Sequence, residues 1–438
     1  MLVKTIILIV LLGVFDISYA KKGFGSSEQE WGFVNVRPKA HMFWWLYYTT
    51  ADVPTYYEKP LVIWLQGGPG ASSTGYGNFE EIGPLDRNLK NRNYTWVKDY
   101  NVLFIDNPVG SGFSYTTSSA ALAKNNQQIA SDLLVCIENF LEQFPRFAQV
   151  PTYITSESYG GKMAAEFAYI WYKAQKSGSI RSNLKGVGLG DSWISPIDSV
   201  LTWAPFLLQT GMVDTQGYQT IMKSANQTRA AVEAEEWELA TELWSMTESI
   251  ILNMTNNIDF YNILYKTKPS YNLASQVLNN RIGDDGSLEV STIEDLILEK
   301  LMNFGVKKAL RLNSTWGEQS SEVFYALLGD FMKPVIDTVE LLLNETDINV
   351  FVYNGQLDLI VDTPGTLLWV EKLKWKNDFN WKRASRKPVV VNNIIEGYVK
   401  ASGNFKMYWI NRAGHMVPTD NPAGTAAMLK DLTSDAQD

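Results

Sequence analysis

Residues 153–162 read Tyr153-Ile-Thr-Ser-Glu-Ser-Tyr-Gly-Gly-Lys162. A short apolar run enters Ser156-x-Ser158-x-Gly160. It then passes directly into a helical stripe of Met163, Phe167, Ile170 and Trp171, whose spacing suits one face of a helix. A strand that turns sharply into a helix around a serine is the setting of a nucleophile elbow. Small residues two before and two after the serine are needed there, because the turn is crowded and lifts the hydroxyl above the sheet. Ser158 is thus the candidate nucleophile, and Ser156 is small enough for its crowded position. The five-residue pattern alone is common, so the strand-to-helix context and the partner residues carry the reading.

Working outward, short continuous apolar runs at 61–65, 102–105, 153–155, 187–189 and 350–353 are bounded by Gly, Pro, Asn or Asp. Runs of that kind suit parallel strands buried on both faces. Residues 31–36 and 41–48 alternate and are rich in aromatics, as in an antiparallel pair opening a sheet; 405–410 is a last strand, and Pro422 after Asp420 and Asn421 starts a capped helix. Strands alternating with helices predict an α/β fold with a mostly parallel central sheet flanked by helices. The stretch from about 195 to 344 breaks the rhythm, being long, helical and charged. It reads as a helical cap insertion that shapes a substrate pocket, or as an amphipathic set with only a packing role. One domain over 21–438, with the cap inserted, is the expected organisation.

The 438 residues are 45% hydrophobic and 13% aromatic, enough for a large core, and 38 Lys plus Arg against 47 Asp plus Glu leave a net charge of −9. Such a balance opposes phosphate backbones and argues against nucleic acid as a partner. Residues 1–20 carry one early cation, Lys4, an apolar run and Ser18-Tyr19-Ala20, the pattern of a cleaved signal peptide. The run is about half of the roughly 20 residues that span a bilayer, so no membrane anchor is expected after cleavage. Secretory-pathway localisation follows, secreted or lysosomal. Asn-x-Ser/Thr acceptors at Asn93, Asn226, Asn253, Asn313 and Asn344 are then candidate glycosylation sites. The single cysteine, Cys136, forbids an intrachain disulfide, and its apolar helical surroundings suit core packing better than nucleophilic work.

A serine hydroxyl needs a base, and the chain has 2 histidines. His41 lies in the aromatic strand pattern, where a structural role fits. His415 sits in Ala413-Gly414-His415-Met416-Val417-Pro418, a loop after the last strand, and is the candidate base. The carboxylate that orients it should follow an earlier strand. Asp358, after the turn Asn354-Gly355-Gln356, fits and yields the order Ser, Asp, His; Asp362 competes. The glycine-rich turn Gln66-Gly67-Gly68-Pro69-Gly70 can bring backbone amides close, making Gly68 N–H and Tyr159 N–H the candidate oxyanion donors. A phosphate-cradling loop is the rival reading, but no Gly-Lys-Ser/Thr follows.

Taken together, these loops resemble the serine carboxypeptidase family of the α/β-hydrolase fold across nearly all of the chain beyond residue 20. The resemblance rests on Trp64 to Gly70, Glu81-Ile-Gly-Pro84, the run from Phe104 to Tyr115, Ser156 to Gly161, and Gly414-His-Met-Val-Pro418. The details Gln66, Asp106-Asn-Pro-Val-Gly110 and Leu189-Gly-Asp-Ser-Trp-Ile194 look most like one branch of that family. It implies a serine-type carboxypeptidase acting on peptide or protein C-termini, with Ser158, Asp358 and His415 as triad and Gly68 and Tyr159 at the oxyanion hole. No cofactor and no metal are implied. It also implies that Gln66, Glu81 and Glu157 bind the substrate carboxylate. Two acids can recognise an acid only if they hold protons, so an acidic working pH is expected. Departures from the family pattern are Gln66 for Asn, Ala71 for Cys and Arg412 for Gly, the last expected to crowd the histidine loop. A catalytically weak scaffold of the same fold, or an acyltransferase or esterase, stays open beside the peptidase.

Overall fold

Each apolar run becomes a strand of one sheet. The computed structural model describes residues 21–266 and 293–434; the expected signal peptide and the 267–292 part of the expected cap lie outside the described residues. The strands are β1 (Lys21–Lys22), β2 (Glu28–Arg37), β3 (Ala40–Tyr47), β4 (Leu61–Leu65), β5 (Asn101–Asp106), β6 (Tyr115–Thr116), β7 (Thr152–Glu157), β8 (Leu184–Gly190), β9 (Asn349–Gly355), β10 (Lys387–Val391), β11 (Ile394–Ser402) and β12 (Phe405–Ile410). They form a 12-stranded sheet in the order β1-β2-β3-β5-β4-β7-β8-β9-β12-β11-β10, with β6 beside β3. The centre, from β5 through β4, β7, β8 and β9 to β12, is parallel, and both flanks are antiparallel. The hairpin β10–β11 did not figure in the sequence expectations. Its Asn392-Asn393 turn, both residues at positive φ, is the local signal for it.

The two faces of the sheet sort the side chains. On one face, Leu61, Ile63 and Leu65 of β4 pack with Ile129 and Leu133 of α1 (Asn126–Gln143) and with Met163, Phe167 and Trp171 of α2 (Tyr159–Ser177). On the other, Val62 and Trp64 join Phe79, Met428 and Leu429, the last two from the helix Pro422–Thr433. This period-2 partition explains why the central strands read as unbroken apolar runs. Asn421 caps that last helix through Gly424 N–H, as its sequence announced.

Between β8 and β9 the described regular segments are helical. They include α3 (Pro196–Gln209), α4 (Thr215–Glu233), α5 (Trp237–Met254) and α6 (Ile336–Glu345). The two ends of this stretch pack on the body: α3 against α7 (Thr363–Lys372), and α6 against α2. Helices α4 and α5 pack on each other, and the short turn Leu328–Phe331 packs on α5.

Candidate active site

The candidate residues come from loops that leave the carboxyl ends of adjacent parallel strands. Register pairs Leu65 with Ser156, Glu157 with Gly190, Gly190 with Tyr353 and Gly355 with Ile410, so β4, β7, β8, β9 and β12 end level with one another. Whatever follows those strands must meet above the sheet, which is where ligands bind in open α/β sheets.

At the end of β7, Ser158 has φ 63° and ψ −132°, a left-handed conformation that L residues avoid. Hydrogen bonds hold it there. Its N–H donates to the carbonyls of Gly190 and Asp191, each at 3.1 Å, and its carbonyl accepts from Gly161 N–H and Trp193 N–H, each at 2.9 Å. The glycine turn presses against this elbow. A Cβ on Gly67 would lie 2.5 Å from Ser158 Cβ and 3.0 Å from Tyr159 N, so only glycine lets the turn approach. Gly68 and Tyr159 thus belong to abutting backbone segments. The Tyr159 ring stacks on Phe331 and its hydroxyl donates to Asp330 at 2.6 Å, while the fully buried Lys162 Nζ meets Asp330 Oδ2 at 3.0 Å.

His415 and Asp358 meet as their loops interlock. His415 Nδ1 lies 2.8 Å from Asp358 Oδ2, and both residues are buried. His415 N–H donates to Tyr261 O at 2.7 Å, Leu357 N–H to Ala413 O at 2.7 Å, and Gly414 N–H to Asp420 Oδ2 at 2.7 Å. His415 Nε2 is buried and has no hydrogen-bond partner among the described residues. A serine-to-base bond is commonly unformed before substrate binds. Burial holds the imidazole below its usual range, against the opposing charges of Asp191, Glu81 and Asp259. The neutral, proton-accepting form of the ring is thereby favoured to lower pH than in a free imidazole.

Asp191, just past β8, was not among the sequence candidates for the site. One carboxylate oxygen of Asp191, one of Asp358 and a ring nitrogen of His415 lie within 4.8 Å of one another. Such a trio can in principle hold a cation. Here Nδ1 of His415 is engaged with Asp358, while Oδ1 of each acid accepts a backbone N–H, from Gly355 at 2.8 Å and from Val361 at 3.1 Å.

Immediately before Ser158, Glu157 joins Glu81 and Gln66 in a buried cluster. Gln66 Nε2 donates to Glu81 Oε1 and to Glu157 Oε1, each at 3.0 Å, and Gln66 Oε1 accepts from Trp64 Nε1 at 2.7 Å. Both amide hydrogens of Gln66 are thus committed to orienting the acids. The Oε2 atoms of both glutamates are buried and meet no N–H donor among the described residues, while the two carboxyls lie within hydrogen-bonding reach of each other. Burial raises both carboxyls, and Glu157 is pushed further by the charge of Glu81, so the pair holds a proton well above the usual carboxylate range. The segment that carries Glu81 is anchored at its start by Asp106. That residue accepts from Ser72 Oγ and Thr74 Oγ1 at 2.8 Å and from Thr74 N–H at 3.0 Å, at the start of the helical turn Ser73–Ile82 that carries Glu81.

The remaining sequence candidates separate cleanly. His41 lies 2.5 Å from Asn35 Oδ1 and stacks on Tyr115, away from the elbow on β3. Asp362 accepts from Thr202 Oγ1 at 2.8 Å. Buried Cys136 has its thiol pushed up to about 12 by burial, which leaves it inert. Arg412 adopts φ 58° and sends its guanidinium outward to Glu396. The crowding expected of Arg412 is absent because its side chain leaves the histidine loop. All five Asn-x-Ser/Thr asparagines are exposed; the Asn344 amide is also tied to the backbone of Lys374 and Lys376.

A family model described as serine carboxypeptidase matches residues 21–435. Retinoid-inducible serine carboxypeptidase of Mus musculus is 46% identical over 416 residues, covering 93% of this chain and 91% of the mouse protein. Its Homo sapiens counterpart is 45% identical with the same coverage. Venom serine carboxypeptidase of Apis mellifera is 32% identical, covering 92% and 83%. Among solved structures, a prohormone-processing carboxypeptidase from Saccharomyces cerevisiae superposes with TM-score 0.79 at 22% identity, covering 93% of this chain and 91% of that one, a likeness of fold. The branch suggested by Gln66 and by Asp191 with its neighbours is that of the mouse and human proteins.

Proposed function

The chain belongs to the serine carboxypeptidase family, on the α/β-hydrolase fold, and from that premise we propose that it removes C-terminal residues from peptides through an acyl-enzyme on Ser158, working best in acid. The observation that carries the reading is the Gln66–Glu81–Glu157 cluster directly beside the elbow. Two buried acids that keep a proton can meet an anion as a hydrogen-bond donor instead of repelling it, and a peptide's free carboxylate is the anion that a neighbouring nucleophile would need to find.

In this reading Ser158 Oγ attacks the last peptide carbonyl and passes its proton to His415 Nε2. Asp358 stabilises the imidazolium and fixes its tautomer. The developing oxyanion takes N–H donors from Gly68 and Tyr159. The departing amine receives the proton from His415, and water then repeats the sequence to release the shortened peptide. The signal-like leader 1–20 and the exposed asparagines support synthesis in the secretory pathway, with glycan at Asn93, Asn226, Asn253, Asn313 and Asn344; among the described residues no helix is long and apolar enough to cross a membrane.

The test compares a blocked dipeptide with its C-terminal amide near pH 5 and near pH 7. The acid substrate should be preferred at pH 5, by at least about tenfold in kcat/KM, with the preference shrinking at pH 7 as the shared proton is lost. Equal turnover of both substrates at both pH values would refute recognition through Glu81 and Glu157. Fluorophosphonate labelling that persists in Ser158→Ala would refute the assigned nucleophile.

A further inference from the structure

Asp191, Asp358 and His415 each offer an atom within 4.8 Å of the others, and nothing in the mechanism just given uses Asp191. Its side chain is fully buried and its backbone is left-handed at φ 39°. The Asp191 carbonyl accepts the N–H of Ser158, so backbone and side chain of one residue touch both halves of the site. Oδ1 accepts from Gly355 N–H at 2.8 Å, but Oδ2 is buried and finds no N–H or O–H donor among the described residues. What faces it is the Asp358 carboxylate. Two ionised acids in that position repel each other in a medium that solvates neither, and a proton between them turns the repulsion into a hydrogen bond.

We propose that Asp191 is a positioning residue for the triad: it keeps a proton on Oδ2 and donates it to Asp358, so that the acid arm of the site is a relay from Asp191 through Asp358 to His415. The proposal rests on the reading of Ser158, Asp358 and His415 as the triad.

The proton belongs on Asp191 because the donors are unevenly shared. Asp358 accepts from His415 Nδ1 and from the N–H groups of Val361 and Ile360, which favour its anion, whereas among the described residues the Asp191 carboxyl accepts an N–H from Gly355 alone. Burial raises both carboxyls, and the hydrogen bond between them favours the neutral form of Asp191 and the anion of Asp358. The other ionisable groups facing Asp191 act in two directions. Glu157 adds repulsion that strengthens proton retention, and a protonated His415 would weaken it. The Tyr353 hydroxyl is kept neutral by burial. With the proton in place one negative charge, not two, stands beside the imidazole, which keeps the base neutral in acid.

The test uses the full chain and a neutral fluorophosphonate, because serine phosphonylation needs the triad but no substrate carboxylate. Its rate is followed from pH 4 to 9 for the native protein, Asp191→Asn and Asp191→Ala. Asparagine keeps the acceptor for Gly355 and supplies an N–H to Asp358 that cannot titrate. At pH 5 Asp191→Ala should label at least about tenfold more slowly, and Asp191→Asn should recover to within about threefold of native. The alkaline limb of Asp191→Asn should move up by about one pH unit, because the titrating donor is gone. Asp191→Asn labelling as slowly as a folded Asp191→Ala, or an alkaline limb that coincides with the native one, would overturn the relay, as would native protein that does not label. If Asp191→Ala fails to fold, the Asp191→Asn profile decides alone. Normal labelling in a protein that leaves blocked dipeptides intact would sink the carboxypeptidase reading only, so the two failures are distinguishable.

Discussion

Gln66 shows how one side chain can organise charge without contacting it from outside. Its amide joins Trp64, Glu81 and Glu157, with a single Nε2 3.0 Å from both acids. The departure from the family's usual Asn is therefore accommodated by a fully bonded geometry. Removing it should leave the acid pair misoriented while the triad stays whole. Gln66→Ala is expected to raise KM for a blocked dipeptide by roughly ten- to a hundredfold, the range for hydrogen bonds to charged groups. The same variant should change the fluorophosphonate rate by less than about threefold. A parallel fall in both readouts would mean that Gln66 supports the elbow itself. The candidate residues of the proposed reaction were legible at this scale. Serine, histidine and glutamate stand in motifs whose residue types follow from the reaction. Asp191 escaped notice because a lone Asp after a strand reads as a turn residue, and nothing in its own neighbourhood reveals Asp358 beyond it.

At the scale of elements, the elbow helix α2 is tied to the insertion by a buried ion pair. Lys162 is fully buried and Asp330 nearly so. Asp330 also receives Tyr159 Oη and Asn126 N–H, so α1, α2 and the Leu328–Phe331 turn converge on one carboxylate. Removing one partner strands a buried charge, at a cost of about 3–5 kcal/mol, whereas removing both is far milder. Lys162→Met should thus lower the thermal midpoint markedly, and adding Asp330→Asn should restore part of the loss. A Lys162→Met protein as stable as the native would show that the pair is solvated and does not hold the insertion to the elbow. Strand identity was legible because burial on both faces leaves unbroken apolar runs such as 61–65. The β10–β11 hairpin was not, since its exposed Val390, Ile394 and Ile395 break the polar-out pattern. The contacts of α3 and α6 with the body were equally hidden, because an amphipathic helix shows that it has an apolar face but not what covers it.

For the molecule as a whole, several buried acids share one thermodynamic consequence. Burial raises the carboxyls of Glu81, Glu157, Asp191 and Asp362. The unfolded chain gives up these protons near pH 4, while the native state keeps them to higher pH, so the native state binds more protons over that window. Stability must then fall as pH rises from about 4 through the raised native values. His415, lowered by burial, opposes this only between its native value and about 6.5. The thermal midpoint should drop by at least about 2 °C from pH 5 to pH 7, measured by scanning calorimetry at constant ionic strength. A midpoint that rises over that interval would contradict protonated acid clusters in the native protein. By itself the sequence determined the α/β class, the glycine-rich turn and the candidate set Ser158, Asp358 and His415, because strand burial, turn sterics and residue chemistry are local properties written in neighbouring positions. Only the tertiary structure decided that His415 pairs with Asp358 while Asp362 goes to Thr202, that Arg412 turns outward, and that the Asp191 carboxyl faces that of Asp358. Those outcomes depend on which strand ends lie side by side in the sheet, and hydrogen bonds such as His415–Asp358 and Thr202–Asp362, between residues 57 and 160 apart in sequence, have no periodicity from which they could be read.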